Sequence, residues 1–245
     1  KYYYENGADE LFFQDVVASL YGRNSMSEII QKTANEIFIP LTVGGGIRTT
    51  EDINNVLRCG ADKVALNTAA MGNKDFVRQA SEKFGSSTIV VAIEAIKETD
   101  GRYLAYTDNG REYTGIDVIE WSEEVVELGA GELIITSVDR EGTGEGLDLT
   151  LLERISDGVG VPVIAHGGVG KINHVTDLFT KTQVDACAIA SALHYNLLNE
   201  NKVQREITCN EGNVEFLKKN IGFKNFELVE IKNLKTELEN HNFFV

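Results

Sequence analysis

The sequence predicts an α/β barrel of alternating strands and helices, built from two similar halves. Short runs rich in Val, Ile and Leu alternate with longer amphipathic stretches along the chain. Apolar runs joined by helical segments are typical of a parallel sheet buried on both faces. Because no Pro- or Gly-rich linker divides the pattern, we expect one (βα)8 TIM barrel rather than a doubly wound sheet.

The elements follow in order from these patterns. Continuous apolar runs predict strands at 10–16, 40–46, 63–67, 88–95, 132–138, 162–168 and 186–192. Apolar residues at helical spacing predict helices at 51–59, 74–84, 117–128, 149–157 and 172–181, and a last helix at 230–240.

An internal repeat predicts the two halves. Gly7 to Leu11 recurs as Gly129 to Leu133, and Pro40 recurs as Pro162, both at an offset of 122 residues. The apolar run 88–95 has no mate, which would lie about 122 residues upstream. We therefore expect a single domain over 1–245 that begins in the first helix, with the first strand truncated.

Composition narrows the class of function. The net charge of −15 disfavours nucleic acids and anionic membranes. No apolar run is long enough to cross a bilayer, so we expect a cytoplasmic protein. Cys59, Cys187 and Cys209 are scattered, which argues against disulfides and a metal site. Of the classes of function considered, we therefore expect an enzyme that acts on a small molecule and uses no metal or cofactor.

Glycine-rich turns at predicted strand ends indicate phosphate binding. One strand ends in a glycine run that contains Gly45 and Gly46, and its counterpart in the repeat ends in a run that contains Gly168. The next strand in the first half ends in Asn67 and Thr68. Its counterpart in the second half ends in Ala190 and Ser191. Backbone N–H groups in such turns bind anions. Singly, these are ordinary tight turns; as a repeated pair, they predict a substrate with a phosphate at each end.

Acidic residues at the same strand ends are candidate proton-transfer groups. Glu94 ends an apolar strand, while Asp15, Asp139 and Glu141 follow others. Helix capping or solvation is the alternative for each of them. His166 precedes a glycine turn, where packing and ligand contact are equally open.

Charged residues begin three of the apolar strands, at Glu10, Lys63 and Glu132. An unpaired charge inside a barrel is costly. Either the three close the barrel floor as a ring of opposite charges, or each points outward to solvent.

The chain from Lys1 to about Asn196 resembles the cyclase subunit family of imidazole glycerol phosphate synthase. The resemblance rests on FFQDVVAS, LTVGGGIR, GADKVALNTAA, VVAIEA, TDNGREYTGI, GAGELIITSVDREGT and PVIAHGGVGK, in that order. It implies a heterodimer with a glutaminase subunit, whose ammonia reaches a bisphosphorylated ribulosyl substrate. Elimination and ring closure then give imidazole glycerol phosphate and an aminoimidazole carboxamide ribonucleotide.

The resemblance also implies residue roles. Gly142 joins the second phosphate site, and Glu10, Lys63 and Glu132 become an ammonia gate. Asp62 matches an acid that faces the glutaminase, and Glu94 matches an essential aspartate.

The sequence departs from the family pattern where Glu94 and Glu141 replace aspartates and where 197–228 forms a longer insertion. These departures favour an alternative, the related subunits that use ammonia to make an amidino sugar for surface polysaccharides. A sister sugar isomerase and a non-catalytic glutaminase activator are minor alternatives.

Overall fold

A computed structural model describes residues 1–15, 26–200 and 226–245. Within these ranges, seven parallel strands form the barrel wall: β1 (Leu11–Gln14), β2 (Leu41–Gly44), β3 (Lys63–Leu66), β4 (Ile89–Lys97), β7 (Glu132–Ser137), β8 (Val163–His166) and β9 (Ala186–Ala188). They follow one another in that order as hydrogen-bonded neighbours. The sheet curls into a nearly closed barrel, as the sequence predicts. One observed strand lies within each predicted strand, except that β4 extends two residues beyond the predicted 88–95, to Lys97.

A hairpin leaves this barrel and was not predicted. Strands β5 (Tyr103–Thr107) and β6 (Glu112–Asp117) pair antiparallel with each other, and β5 also pairs with the extended end of β4. Residues 108–111 connect the two strands, and the first three of them have positive φ angles. The hairpin therefore stands at the carboxyl end of β4, beside the barrel mouth.

Helices cover the outside of the sheet. They are α1 (Tyr2–Glu5), α2 (Ser27–Ala34), α3 (Thr50–Arg58), α4 (Thr68–Gly72), α5 (Asp75–Phe84), α6 (Val118–Glu127), α7 (Leu149–Ser156), α8 (Ile172–Lys181), α9 (Ser191–Glu200) and α10 (Ile231–Asn240). The helices predicted from periodicity are α3, α5, α6, α7, α8 and α10, each within a residue or so at its ends. Among the described residues, none of these helices has the length and apolarity that a membrane span requires.

The two halves of the barrel make equivalent hydrogen bonds at equivalent positions. The Asp62 carboxylate accepts the Leu41 N–H at 2.8 Å, and the Asp185 carboxylate accepts the Val163 N–H at 2.9 Å. Residues 62 and 185 also donate their own N–H groups across the same strand pairs. The same local chemistry thus sets the register of β2 against β3 and of β8 against β9.

The predicted insertion at 197–228 lies mostly outside the described residues. Its first four residues complete α9, and only 226–228 are described after the gap. Glu227 donates its N–H to the Gly170 carbonyl at 2.8 Å, and Phe226 packs edge-on against Tyr195. The chain therefore returns beside α9 and the turn after β8.

Candidate active site

The interior of the barrel has three levels. Its middle is apolar, with Ala65, Val90, Ala92 and Ile134 in one buried cluster against Phe12, Ile164 and Ala188. Side chains two positions away along a strand point to the same face. Residues 10, 63 and 132 therefore face the interior at the amino ends of the strands, and residues 67, 94, 136 and 166 face it at the carboxyl ends.

At the amino ends, Lys63 joins two carboxylates. Its ammonium group lies 2.9 Å from Glu10 Oε2 and 2.7 Å from Glu132 Oε1. The Thr42 hydroxyl also donates to Glu10. Burial alone would lower the pKa of Lys63, but hydrogen bonds and charge from Glu132 and Glu10 outweigh burial and raise it. The three side chains thus form one hydrogen-bonded cluster, the floor of the barrel, and none of them points away from the others.

At the carboxyl ends, a cavity of about 290 Å³ occupies the first half of the mouth. The predicted residues in its lining are Asp15, Gly45, Gly46, Asn67, Thr68 and Glu94. The lining also contains four residues that were not predicted, namely Gln14, Arg48, Asp108 and Asn109. Gly45 has φ +103°, and a Cβ there would lie 2.3 Å from the Asp15 carbonyl oxygen. Only glycine therefore allows this close approach of the two strand ends.

The second half of the mouth repeats this arrangement. Gly168 has φ +109°, and a Cβ there would lie 2.3 Å from the Gly146 carbonyl oxygen. Gly142 also has a positive φ but faces open space. Ala190 and Ser191 lie where β9 leads into α9. All four predicted residues of this half lie at the carboxyl ends of the adjacent strands β7, β8 and β9.

Glu94 is the buried acid of the mouth, with 8% of its surface exposed. Burial raises its pKa, and the nearby charges of Glu141 and Asp108 add to the rise. Hydrogen bonds from Gly110 N–H, at 2.8 Å from Oε2, and from the Asn67 side chain act in the opposite direction without cancelling it. The carboxyl group is thus held in place while its proton is retained to a higher pH than usual, as proton transfer requires.

The other candidate acids divide between the mouth and the scaffold. Glu141 is exposed and lies close enough to Glu94 for its charge to raise the pKa of that residue. Asp15 lines the cavity and donates its N–H to the Gly44 carbonyl at 3.0 Å. Asp139 instead accepts the Lys97 N–H at 2.8 Å, which ties the loop after β7 to β4. Asp139 thus makes a structural hydrogen bond and is not among the residues that line the cavity.

Several residues of the mouth were missed from the sequence. Asp108 and Asn109 line the cavity from the hairpin turn, and the next residue, Gly110, donates its N–H to Glu94. The Asp-Asn-Gly triplet is itself a signal for such a turn. Thr136, which was also missed, lies beside His166, the histidine that the sequence left open between packing and ligand contact, with Thr136 Oγ1 at 3.1 Å from His166 Nδ1. Gln14 and Arg48 complete the cavity wall.

Comparison with known proteins gives consistent matches. Residues 1–199 match the family described as "Histidine biosynthesis protein". A curated protein of Legionella pneumophila, "Imidazole glycerol phosphate synthase subunit HisF", is 53% identical over 170 residues, which cover 69% of this chain and 80% of that protein. Proteins of the same name from two strains of Bacillus cereus, AH187 and G9842, are 48% and 46% identical; the matches cover 84% and 87% of this chain and 81% and 84% of those proteins.

Proposed function

The chain belongs to the histidine biosynthesis protein family, as a cyclase subunit of the imidazole glycerol phosphate synthase type, and we propose how its barrel performs that reaction. Ammonia enters through the charged floor and meets a bisphosphorylated ribulosyl substrate at the mouth. The observation that carries the proposal is the alignment of three levels along one interior: the floor at Lys63, an apolar middle, and the mouth at Glu94.

The apolar middle suits neutral ammonia. An ammonium ion would lose its hydration between Ala65, Ala92, Ile134 and Ile164, at a cost of several kcal/mol. The Lys63 ammonium blocks the entrance while it binds both carboxylates. Ammonia therefore passes when Lys63 moves aside, and it passes as the uncharged molecule.

The mouth binds the two ends of the substrate. Backbone N–H groups around Gly45, Gly46, Asn67 and Thr68 hold one phosphate. Those around Gly142, Gly168, Ala190 and Ser191 hold the other. Glu94 then lies beside the middle of the ligand, where its retained proton can pass to a substrate oxygen or nitrogen.

The floor also marks the docking face for a glutaminase subunit, since ammonia must be delivered there. Asp62 is exposed beside Lys63 on this face. Phe38, which precedes β2 on the same side, is 87% exposed and packs only loosely against Tyr4, with 6.2 Å between ring centroids. An aromatic anchor beside a charged rim is typical of protein interfaces.

Turnover with an ammonium salt in place of the glutaminase tests the proposal. We expect wild-type protein to convert the bisphosphorylated ribulosyl substrate, and Glu94→Gln to lose about 100-fold or more in kcat. Glu98→Gln is the matched control, because Glu98 accepts a hydrogen bond from the Tyr106 hydroxyl outside the cavity. Equal loss in both variants, or none in Glu94→Gln, would contradict the role of Glu94.

A second candidate function is ammonia transfer to a sugar in surface-polysaccharide synthesis. Glu94 and Glu141 favour it, since each is one methylene longer than the aspartate expected in the histidine pathway. A misplacement of about 1 Å can cost about 100-fold in rate. Rescue of a histidine auxotroph that lacks the cyclase subunit would support the histidine pathway, and failure despite soluble expression would support the second function.

A further inference from the structure

His166 occupies the mouth without a role in the scheme above. In the sheet register, Glu94 pairs with Thr136 and Thr136 pairs with His166, so the three residues lie at one level on adjacent strands. Two positions earlier, Ala92, Ile134 and Ile164 pack inside the barrel. Because side chains alternate along a strand, His166 also points to the interior, at the end where β8 meets the mouth.

The two ring nitrogens of His166 have different surroundings. Nδ1 lies 3.1 Å from Thr136 Oγ1. Across the part of the chain that the structure describes, no buried side-chain nitrogen or oxygen lacks a hydrogen-bond partner. Since Thr136 is the only partner found there for this ring, Nε2 is not sealed in the core. His166 is the last residue of β8, at the level where the barrel opens into the mouth.

Burial of the ring favours a neutral imidazole, the form that can accept a proton. Burial lowers the pKa of His166, while the charge of Glu141 acts to raise it, with burial the larger effect. Glu141 also acts on Glu94. The charge of Glu141 therefore reaches both His166 and Glu94, and an imidazolium formed at His166 would be stabilised by the Glu141 carboxylate.

We propose that Nε2 of His166 accepts the proton that ammonia gives up when it adds to the substrate carbonyl group. This role rests on the proposed function, in which ammonia leaves the apolar middle as a neutral molecule. It reaches the mouth at the level of Glu94, Thr136 and His166, so the acceptor lies where the nitrogen emerges.

The step balances with the groups present. The ammonia lone pair forms the C–N bond, the carbonyl π electrons move to oxygen, and that oxygen takes the proton of Glu94. The cationic nitrogen then passes a proton to His166 Nε2, which leaves a neutral carbinolamine. On dehydration, His166 returns its proton to the departing hydroxyl, which leaves as water. The resulting iminium returns a proton to Glu94, and both side chains are restored.

Chemical rescue tests this assignment. In the full chain with ammonium chloride as the ammonia source, His166→Ala should lower kcat by about 100-fold, with the substrate KM nearly unchanged. Added imidazole should restore turnover in proportion to its concentration. His241→Ala is the matched control, because His241 ends α10 and is exposed; it should behave as wild type with and without imidazole.

The contrary outcomes separate the inference from the function it rests on. Wild-type turnover in His166→Ala, or a loss that imidazole does not reverse, would overturn the role of His166 while leaving the proposed function in place. Absence of ammonia-dependent turnover in the wild type would overturn the proposed function instead. ¹⁵N NMR of the His166 ring tests the assignment independently of turnover. We expect Nδ1 to carry the proton and Nε2 to be unprotonated at neutral pH, and the reverse tautomer would overturn the assignment.

Discussion

Gly45→Ala should destabilise the barrel and weaken phosphate binding together. The backbone at Gly45 has φ +103°, which an L side chain rarely adopts, and this strain costs about 1 to 3 kcal/mol. The added Cβ would also lie 2.3 Å from the Asp15 carbonyl oxygen, an atom that can move only with its strand end. Relieving such an overlap costs about 1 to 3 kcal/mol more. The expected loss is therefore about 2 to 6 kcal/mol, a large share of the stability of a typical domain.

Urea unfolding, with calorimetry of a bisphosphorylated substrate analogue, measures both effects. Gly160→Ala is the matched control, because a Cβ there meets nothing within 4 Å and its φ is not positive. We expect the control to shift stability by less than about 1 kcal/mol, in the stabilising direction if at all. The reasoning would be refuted if Gly45→Ala matched Gly160→Ala in unfolding midpoint and in analogue affinity.

Four further predictions concern the floor, the mouth and the docking face. Lys63→Met removes the cation that Glu10 and Glu132 share. It should lower the free energy of unfolding in urea by about 1 to 3 kcal/mol, between the values for exposed and for fully buried ion pairs. Because burial raises the pKa of Glu94, the folded state binds this proton more tightly than the unfolded chain. The stability that this group contributes is therefore complete below the ordinary carboxyl pKa and is lost as pH rises through the raised value. Glu94→Gln should abolish that decline when unfolding is followed from pH 4 to 8. Ser191→Asp should weaken a bisphosphorylated analogue in calorimetry while affecting a monophosphate held by the Gly45 half much less. Phe38→Asp should weaken glutaminase binding, measured by titration, and leave turnover with ammonium chloride unchanged.

The strands of the barrel could be predicted because each carries its own signal. A run such as TIVVAIEA is apolar at nearly every position, and that pattern belongs to a strand buried on both faces. The hairpin of β5 and β6 gave a weaker signal, since its burial is mixed and β6 is largely exposed. It depends on β4 extending past Glu94 to Lys97, a contact that no local pattern specifies.

The candidate site divides in the same way. Glycines and acids at strand ends could be identified from position alone, because parallel strands bring their carboxyl ends to one face. The hydrogen-bond partners of those residues could not be identified in this way. Gly110 reaches Glu94 from 16 positions away along the chain, and Thr136 lies beside His166 across a gap of 30. Such pairs depend on strand register and loop path, which the sequence does not state locally.

A crystal structure of the protein with a bisphosphorylated substrate analogue tests the central claim most directly. We predict one phosphate on the backbone at Gly45 and Thr68, the other at Gly168 and Ser191, and the middle of the ligand within hydrogen-bond distance of Glu94. An analogue that bound outside the mouth, or that left one phosphate in solvent with Glu94 untouched, would contradict the two-phosphate site.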